Sequence, residues 1–229
     1  MMTEAGPPPG LCRQRRGTAP QMRGRYPDHD VLDEADHWDE LTRRVVLARL
    51  CSPPPLRVFN VDEGATLEAF CDTVMAQDCD PRVPVLGMID EKLHDGRLEG
   101  YRYAEMPADV DAWKLVARGL DEAALEYGCA SLAAAPDDAR RLVCESFSAG
   151  ELRAGVWEEL PIARAWTIVM RDVVAAFYSH PWAWNEIGFG GPAYPRGHAR
   201  LGIGLRDSWE GDEAFAVDPV ADVPARGLE

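Results

Sequence analysis

Ser179 and His180 adjoin, which raises the possibility of a nucleophile with its base. Nucleophilic catalysis needs a base held against the nucleophile and an oxyanion site, and adjacency along the chain supplies neither. No Gly-x-Ser-x-Gly elbow occurs. A serine and a histidine at the end of a helix are explained by the negative helix terminus. A metal could draw on His180, Glu186 and His198, but the intervals are six and twelve residues and no His-Glu-x-x-His pattern exists. Glu91 and His94 form a Glu-x-x-His pair, and a di-iron site needs a second such pair with two further glutamates. Gly188-Phe189-Gly190-Gly191 has the look of a phosphate loop. Pro192 and Pro195 follow it where the fingerprint requires a helix, and a helical pattern precedes it where a strand is required. Glu158 and Glu159 suit the positive start of a helix. Cys12, Cys51, Cys71, Cys79, Cys129 and Cys144 make no CxxC pair, and free thiols are expected in a reducing compartment. The chain is therefore expected to carry neither a catalytic residue nor a metal of its own.

What stands out is the run from Phe177 to Pro195, which packs six aromatics, three glycines and three prolines into nineteen residues. It is expected to be a rigid aromatic loop. Trp182 and Trp184 beside Pro181 suit either an interface anchor or a plug for the end of a bundle, and composition does not choose between them. The glycines are expected to supply positive φ in tight turns.

Helices must position this run. Asp28 to Leu50 is predicted as one helix, capped by Asp28 or Asp30 and ended by Ser52-Pro53-Pro54-Pro55. The next begins near Asn60, with Glu63 completing a capping box, and puts Leu67, Phe70, Cys71, Val74 and Met75 on one face. Further helices are predicted over Val83–His94, Val110–Tyr127 and Asp137–Ser148. A last long helix runs from about Val156 to Ser179, with Pro161 marking its first turn. Its wide apolar arc places it at the bundle centre, and His180-Pro181 ends it.

The balance of 24 Lys and Arg against 39 Asp and Glu gives a net charge of -15. Such a charge repels nucleic acid and anionic membranes. No apolar run is long enough to span a bilayer. Arg15-Arg16 lack the apolar stretch of an export signal, so a cytoplasmic location is expected unless a partner carries the chain out. The fold expected is all-α: an irregular helical bundle of about five to seven helices with disordered termini. Residues 1–27 form a basic disordered segment, 28–204 a single helical domain and 205–229 an acidic disordered tail in this reading.

The C-terminal run resembles the signature of the gluconate 2-dehydrogenase subunit 3 family. The matching residues are Phe177-Tyr178-Ser179-His180-Pro181, Asn185, Gly188-Phe189-Gly190-Gly191-Pro192 and Tyr194-Pro195. Thr66-Leu67-Glu68-Ala69-Phe70-Cys71-Asp72 is similar to the family's first helix, and the likeness covers about residues 58–200. The resemblance implies a small non-catalytic subunit that supports folding, maturation or export of a large FAD-dependent dehydrogenase subunit. That partner would resemble the glucose-methanol-choline oxidoreductases, hold the FAD and oxidise a sugar, sugar acid or related alcohol. The chain itself would bind no cofactor. On this reading the interface is Tyr178, Pro181, Trp182, Trp184, Asn185, Gly188, Phe189, Gly190, Gly191, Pro192, Tyr194 and Pro195. The alternatives are a free-standing helical scaffold or chaperone, and a metal-dependent enzyme using His180, Glu186 and His198.

Overall fold

The computed structural model of the chain describes residue 26 and residues 29–77, 82–197 and 205–211. The expected disorder of residues 1–25, the irregular stretch 198–204 and the tail from 212 onward lie outside the described residues, as do Cys12, Cys79 and His198. Among the described residues the order is a 3-10 helix Val31–His37, α1 Glu40–Ala48, α2 Val61–Val74, α3 Val85–His94, α4 Asp109–Glu126, α5 Asp137–Ala149, a 3-10 helix Gly155–Glu158, α6 Ile162–Tyr178 and α7 Pro181–Ile187. No strand occurs among them, and the fold is the all-α one expected. They group into two compact units. One is the continuous stretch Ser52–Tyr178; the other is built from the chain up to Cys51 and from Ser179 onward.

In the continuous unit, α2 starts where the sequence signals it. Asn60 Oδ1 accepts from the Glu63 amide at 2.9 Å, and Glu63 Oε2 accepts from the Asn60 amide at 2.9 Å. The loop before it borrows a side chain. The buried Asp90 carboxylate accepts the amides of Arg57 and Val58 at 2.8 and 2.9 Å and that of Phe59 at 3.3 Å. α2 packs against α3, α4 and α5, and α6 against α3, α4 and α5. Phe70 of α2, Phe147 of α5 and Trp166 of α6 meet with centroids 5.1 to 6.3 Å apart. Trp157 lies 4.8 Å from Phe147 and donates its Nε1–H to Gly119 O at 3.1 Å.

The expected place of α6 at the bundle centre is not what forms. Ala165, Ile168, Val169, Val173 and Phe177 are buried, but Val174 is 40 % and Tyr178 44 % exposed. The wide arc arises because α6 buries only part of it. Trp113, Val116, Leu120 and Ala124 of α4 are fully buried instead. Asp172 of α6 is buried too, and it is satisfied by Lys92 Nζ at 2.8 Å and Trp113 Nε1 at 3.3 Å. Burial disfavours the charged Lys92, but its bonds to Asp172 and Glu99 outweigh that and leave its pKa raised.

In the other unit the single helix expected over Asp28–Leu50 is two. Asp30 caps the 3-10 turn through the Leu32 amide at 3.1 Å, as expected. Asp39 then caps α1 through the Thr42 amide at 2.9 Å, in extended backbone that no continuous helix allows.

Candidate functional site

The run Phe177–Pro195 is only partly a loop. After Tyr178 the chain re-enters a helix at Pro181, and α7 carries Pro181, Trp182, Trp184 and Asn185. Proline suits a first helical position because its fixed φ is helical and the amide it lacks would have had no partner. His180 is the cap. Its Nδ1 accepts from the Trp182 amide at 3.2 Å, so that nitrogen carries no proton. His180 is 1 % exposed and its ring lies 4.8 Å from that of Trp182. α7 ends at Gly188, whose φ of +69 fits the left-handed closing position, and Phe189 N donates back to Trp184 O at 3.0 Å.

Trp184 joins Val31, Trp38 and Val46 in one buried cluster. The Arg49 guanidinium stands 5.7 Å over its ring and donates to Ser179 O at 2.9 Å. Asn185 works as a cross-link. Its Oδ1 accepts from Val31 N at 2.8 Å, and its Nδ2 donates to Asp30 Oδ1 at 3.3 Å. His29 Nε2 donates to Phe189 O at 3.1 Å. Gly191 has φ of +78, and a Cβ there would stand 2.7 Å from the Trp38 ring, so only glycine fits.

The twelve residues of the expected interface thus separate by exposure. Pro181, Trp182, Trp184, Asn185, Gly188, Gly190 and Gly191 are buried, and Pro192 is half-buried. Tyr178, Phe189, Tyr194 and Pro195 are exposed, Tyr194 the most at 66 %. Pro195 follows a cis peptide bond. Trp182 and Trp184, at 7 and 5 %, offer little surface to anything outside the chain.

Arg196 is the organising residue that sequence reasoning missed. It donates to Glu34 Oε2 at 2.7 Å, Gly190 O at 2.9 Å and Pro192 O at 3.3 Å, and it stacks on Trp209 at 4.4 Å. The signal that could have found it is the run before it. A turn of glycines and prolines leaves carbonyls with no helical partner, and a nearby cation is the usual remedy. Residues 205–211 were expected to belong to a disordered tail. They hold a defined place here, with Gly211 N donating to Gly188 O at 2.9 Å.

Among the described residues no group of three or more His, Cys, Asp or Glu is placed to hold a metal. Clefts open in the continuous unit among the described residues. One, of about 570 Å³, is walled by Pro53, Pro54 and Pro55 with Cys71 and Asp72 at its lining. Burial raises the pKa of Asp72 against the opposing pull of Arg82. Another, of about 510 Å³, is lined by Glu122, Glu126, Glu151, Arg153 and Trp157 among others. Cys51, Cys71, Cys129 and Cys144 are free thiols, and burial pushes Cys71 well up and Cys144 up to about 12. No helix among the described residues is long and apolar enough to cross a membrane.

Comparison with curated proteins and with solved structures found no match. Comparison with family models matched Gluconate 2-dehydrogenase subunit 3 over residues 61–191, from the first turn of α2 to the last glycine of the Gly188–Gly191 turn. That span exceeds half of the chain, and the protein belongs to the gluconate 2-dehydrogenase subunit 3 family.

Proposed function

We propose that the chain is a non-catalytic accessory subunit of an FAD-dependent dehydrogenase complex of the glucose-methanol-choline type, acting on a sugar, sugar acid or related alcohol. The FAD belongs to the large partner subunit. Family membership over residues 61–191 is the observation that carries this reading. The chemistry of the motif supports it. His180 is used as a helix cap, Asn185 as a cross-link and Arg196 as a clamp on carbonyls, so these three side chains hold the segment itself. The docking face on this reading is the exposed part of the run after Ser179, namely Phe189, Tyr194 and Pro195; Tyr178, also exposed, belongs to the other unit. Aromatic side chains that fill a partner's pockets are the usual source of binding energy at such a face.

The test is affinity capture of the tagged chain from its native cells, with an absorbance spectrum and mass spectrometry of the eluate. The expected result is a stoichiometric larger flavoprotein with flavin absorbance. Phe189→Ser with Tyr194→Ser is expected to lower that yield at least tenfold while the helical circular dichroism stays unchanged. A colourless, solitary chain would overturn the reading. Unchanged capture by the double variant would move the docking face elsewhere.

A further inference from the structure

Between Leu93 near the end of α3 and Met106 before α4, both buried, the chain crosses the surface of the continuous unit. Glu99, Tyr101 and Glu105 are exposed there, and Tyr103 is half-buried. Among the described residues no backbone hydrogen bond joins residues 99–105 to another element. The one they make, Met106 N to Tyr103 O at 3.0 Å, is local.

Side chains hold the segment instead. Alternate residues of an extended chain share a face, and residues 99, 101, 103 and 105 all reach cations of α3 or α6. Glu99 Oε1 accepts from Lys92 Nζ at 2.7 Å and lies 3.9 Å from Arg171 Nε. Arg171 Nη1 donates to the Tyr101 hydroxyl at 3.2 Å. The Arg164 guanidinium stands 4.2 Å from the Tyr103 ring centroid, and its Nε donates to Glu105 Oε1 at 3.3 Å. Arg164 and Arg171 are two turns, about 10 Å, apart on α6. Each takes one acid and one tyrosine, so the segment runs antiparallel to the helix.

These ties are wet. The side chains of Arg171, Glu99, Arg164 and Glu105 are 29, 39, 47 and 48 % exposed. Salt weakens exposed pairs of this kind and the attraction of a cation to a ring, whereas it reaches buried pairs far less. Beneath the segment lies such a buried pair. Asp172, its side chain 1 % exposed, holds Lys92 at 2.8 Å, so Lys92 keeps a partner whether or not Glu99 is in place.

We propose that residues 99–105 are a strap latched to α6 by charge, which rising ionic strength releases as one piece while the helices stay folded. Release exchanges a surface bearing two acids and two tyrosines for one bearing Arg164 and Arg171. This inference does not draw on the flavoprotein reading.

The experiment is limited trypsin digestion of the full chain in 0.05 M and 1 M sodium chloride, following cleavage after Arg102 by mass spectrometry. Cleavage under these conditions follows the population of the open form. Each rate is divided by that of a free peptide copying residues 97–107 at the same salt, which removes the effect of salt on trypsin. The normalised rate is expected to rise at least fivefold in high salt, with no matching rise after Arg118 inside α4. Arg164→Gln with Arg171→Gln is expected to be cut in low salt as fast as the parent in high salt. A normalised rate indifferent to salt overturns the proposal, and so does a parallel rise after Arg118, which marks general unfolding. Circular dichroism checks the fold of the variant. If it loses its helices, Glu99→Gln with Glu105→Gln, on the exposed side of the latch, takes its place. Retention of the parent's salt dependence by that variant overturns the proposal equally. Failure here leaves flavoprotein capture untouched.

Discussion

Asn185 Oδ1 accepts the backbone N–H of Val31 at 2.8 Å, across 154 residues of chain, and both residues are buried. Removing the acceptor strands a buried amide, which costs about 1–3 kcal/mol. Asn185→Ala is expected to lower the unfolding free energy by that amount, seen as a lower urea midpoint at unchanged slope. Asn185→Asp keeps an acceptor but sets a second carboxylate beside Asp30 Oδ1, now 3.3 Å from Nδ2. It is expected to be less stable than the parent at pH 7 and to recover part of the loss on acidification. A midpoint for Asn185→Ala equal to that of the parent would show the link to be idle.

Gly119 sits inside α4, where replacing glycine by alanine ordinarily stabilises by about 1 kcal/mol. Here the sign is expected to reverse. A Cβ would stand 2.6 Å from Cε2 and Cζ2 of Trp157, whose indole N–H also donates to Gly119 O. Overpacking of this kind costs about 1–3 kcal/mol. Gly119→Ala is expected to lower the melting temperature and alter tryptophan emission, and a raised melting temperature would refute the close approach.

Lys92 and Asp172 form an ion pair whose carboxylate side chain is 1 % exposed and whose ammonium side chain is 22 % exposed. Lys92→Met leaves the carboxylate buried against Trp113 and Arg171, and a loss on the order of 3 kcal/mol is expected. Adding Asp172→Leu is expected to restore part of that stability, because the stranded charge is gone. A double variant whose loss equals the sum of the single losses would show that the two residues do not couple.

Cys144 is raised from 9.0 to about 12 by burial. The unfolded chain loses this proton first, so stability is full below pH 9 and falls as pH climbs toward about 12. The expected slope from this thiol is about 1.4 kcal/mol per pH unit inside that window. Cys71, also raised by burial, adds to it. Urea unfolding at pH 8 and pH 10.5 should show a smaller alkaline loss for Cys144→Ala than for the parent. Identical losses would exclude the thiol as a source.

The parts of the fold written in short-range chemistry were legible. The Asn60–Glu63 box, the Asp30 cap and the lead-in before Pro161 all depend on residues within four positions of each other. His180-Pro181 ends the long helix as expected, but the loop expected after it is a helix, because proline also starts helices and here His180 supplies the cap. Trp38 and Asp39 hid a break because apolar spacing runs on past them. The site was half legible. Its unusual composition marks it, but which tryptophans face inward depends on Val31, Trp38 and Val46, far away in sequence. Arg196 and Trp209 were illegible for the same reason. Their meeting needs a turn geometry that no periodicity encodes.

The unit containing Trp184 draws on both ends of the chain, with the stretch Ser52–Tyr178 between its parts. On a ribosome this becomes a matter of timing. Val31 emerges 154 residues before Asn185, its hydrogen-bond partner. At synthesis rates of about 5–20 residues per second, that is a wait of about 8–30 seconds. Through that interval Val31, Trp38 and Val46 have no Trp184 to cover them, whereas every residue of the intervening stretch is synthesised before Trp184. The nascent chain therefore holds all the residues of its middle unit before it holds those that close its beginning, and a transcript broken ahead of codon 184 leaves Val31, Trp38 and Val46 without Trp184, an apolar cluster for holdase chaperones to claim.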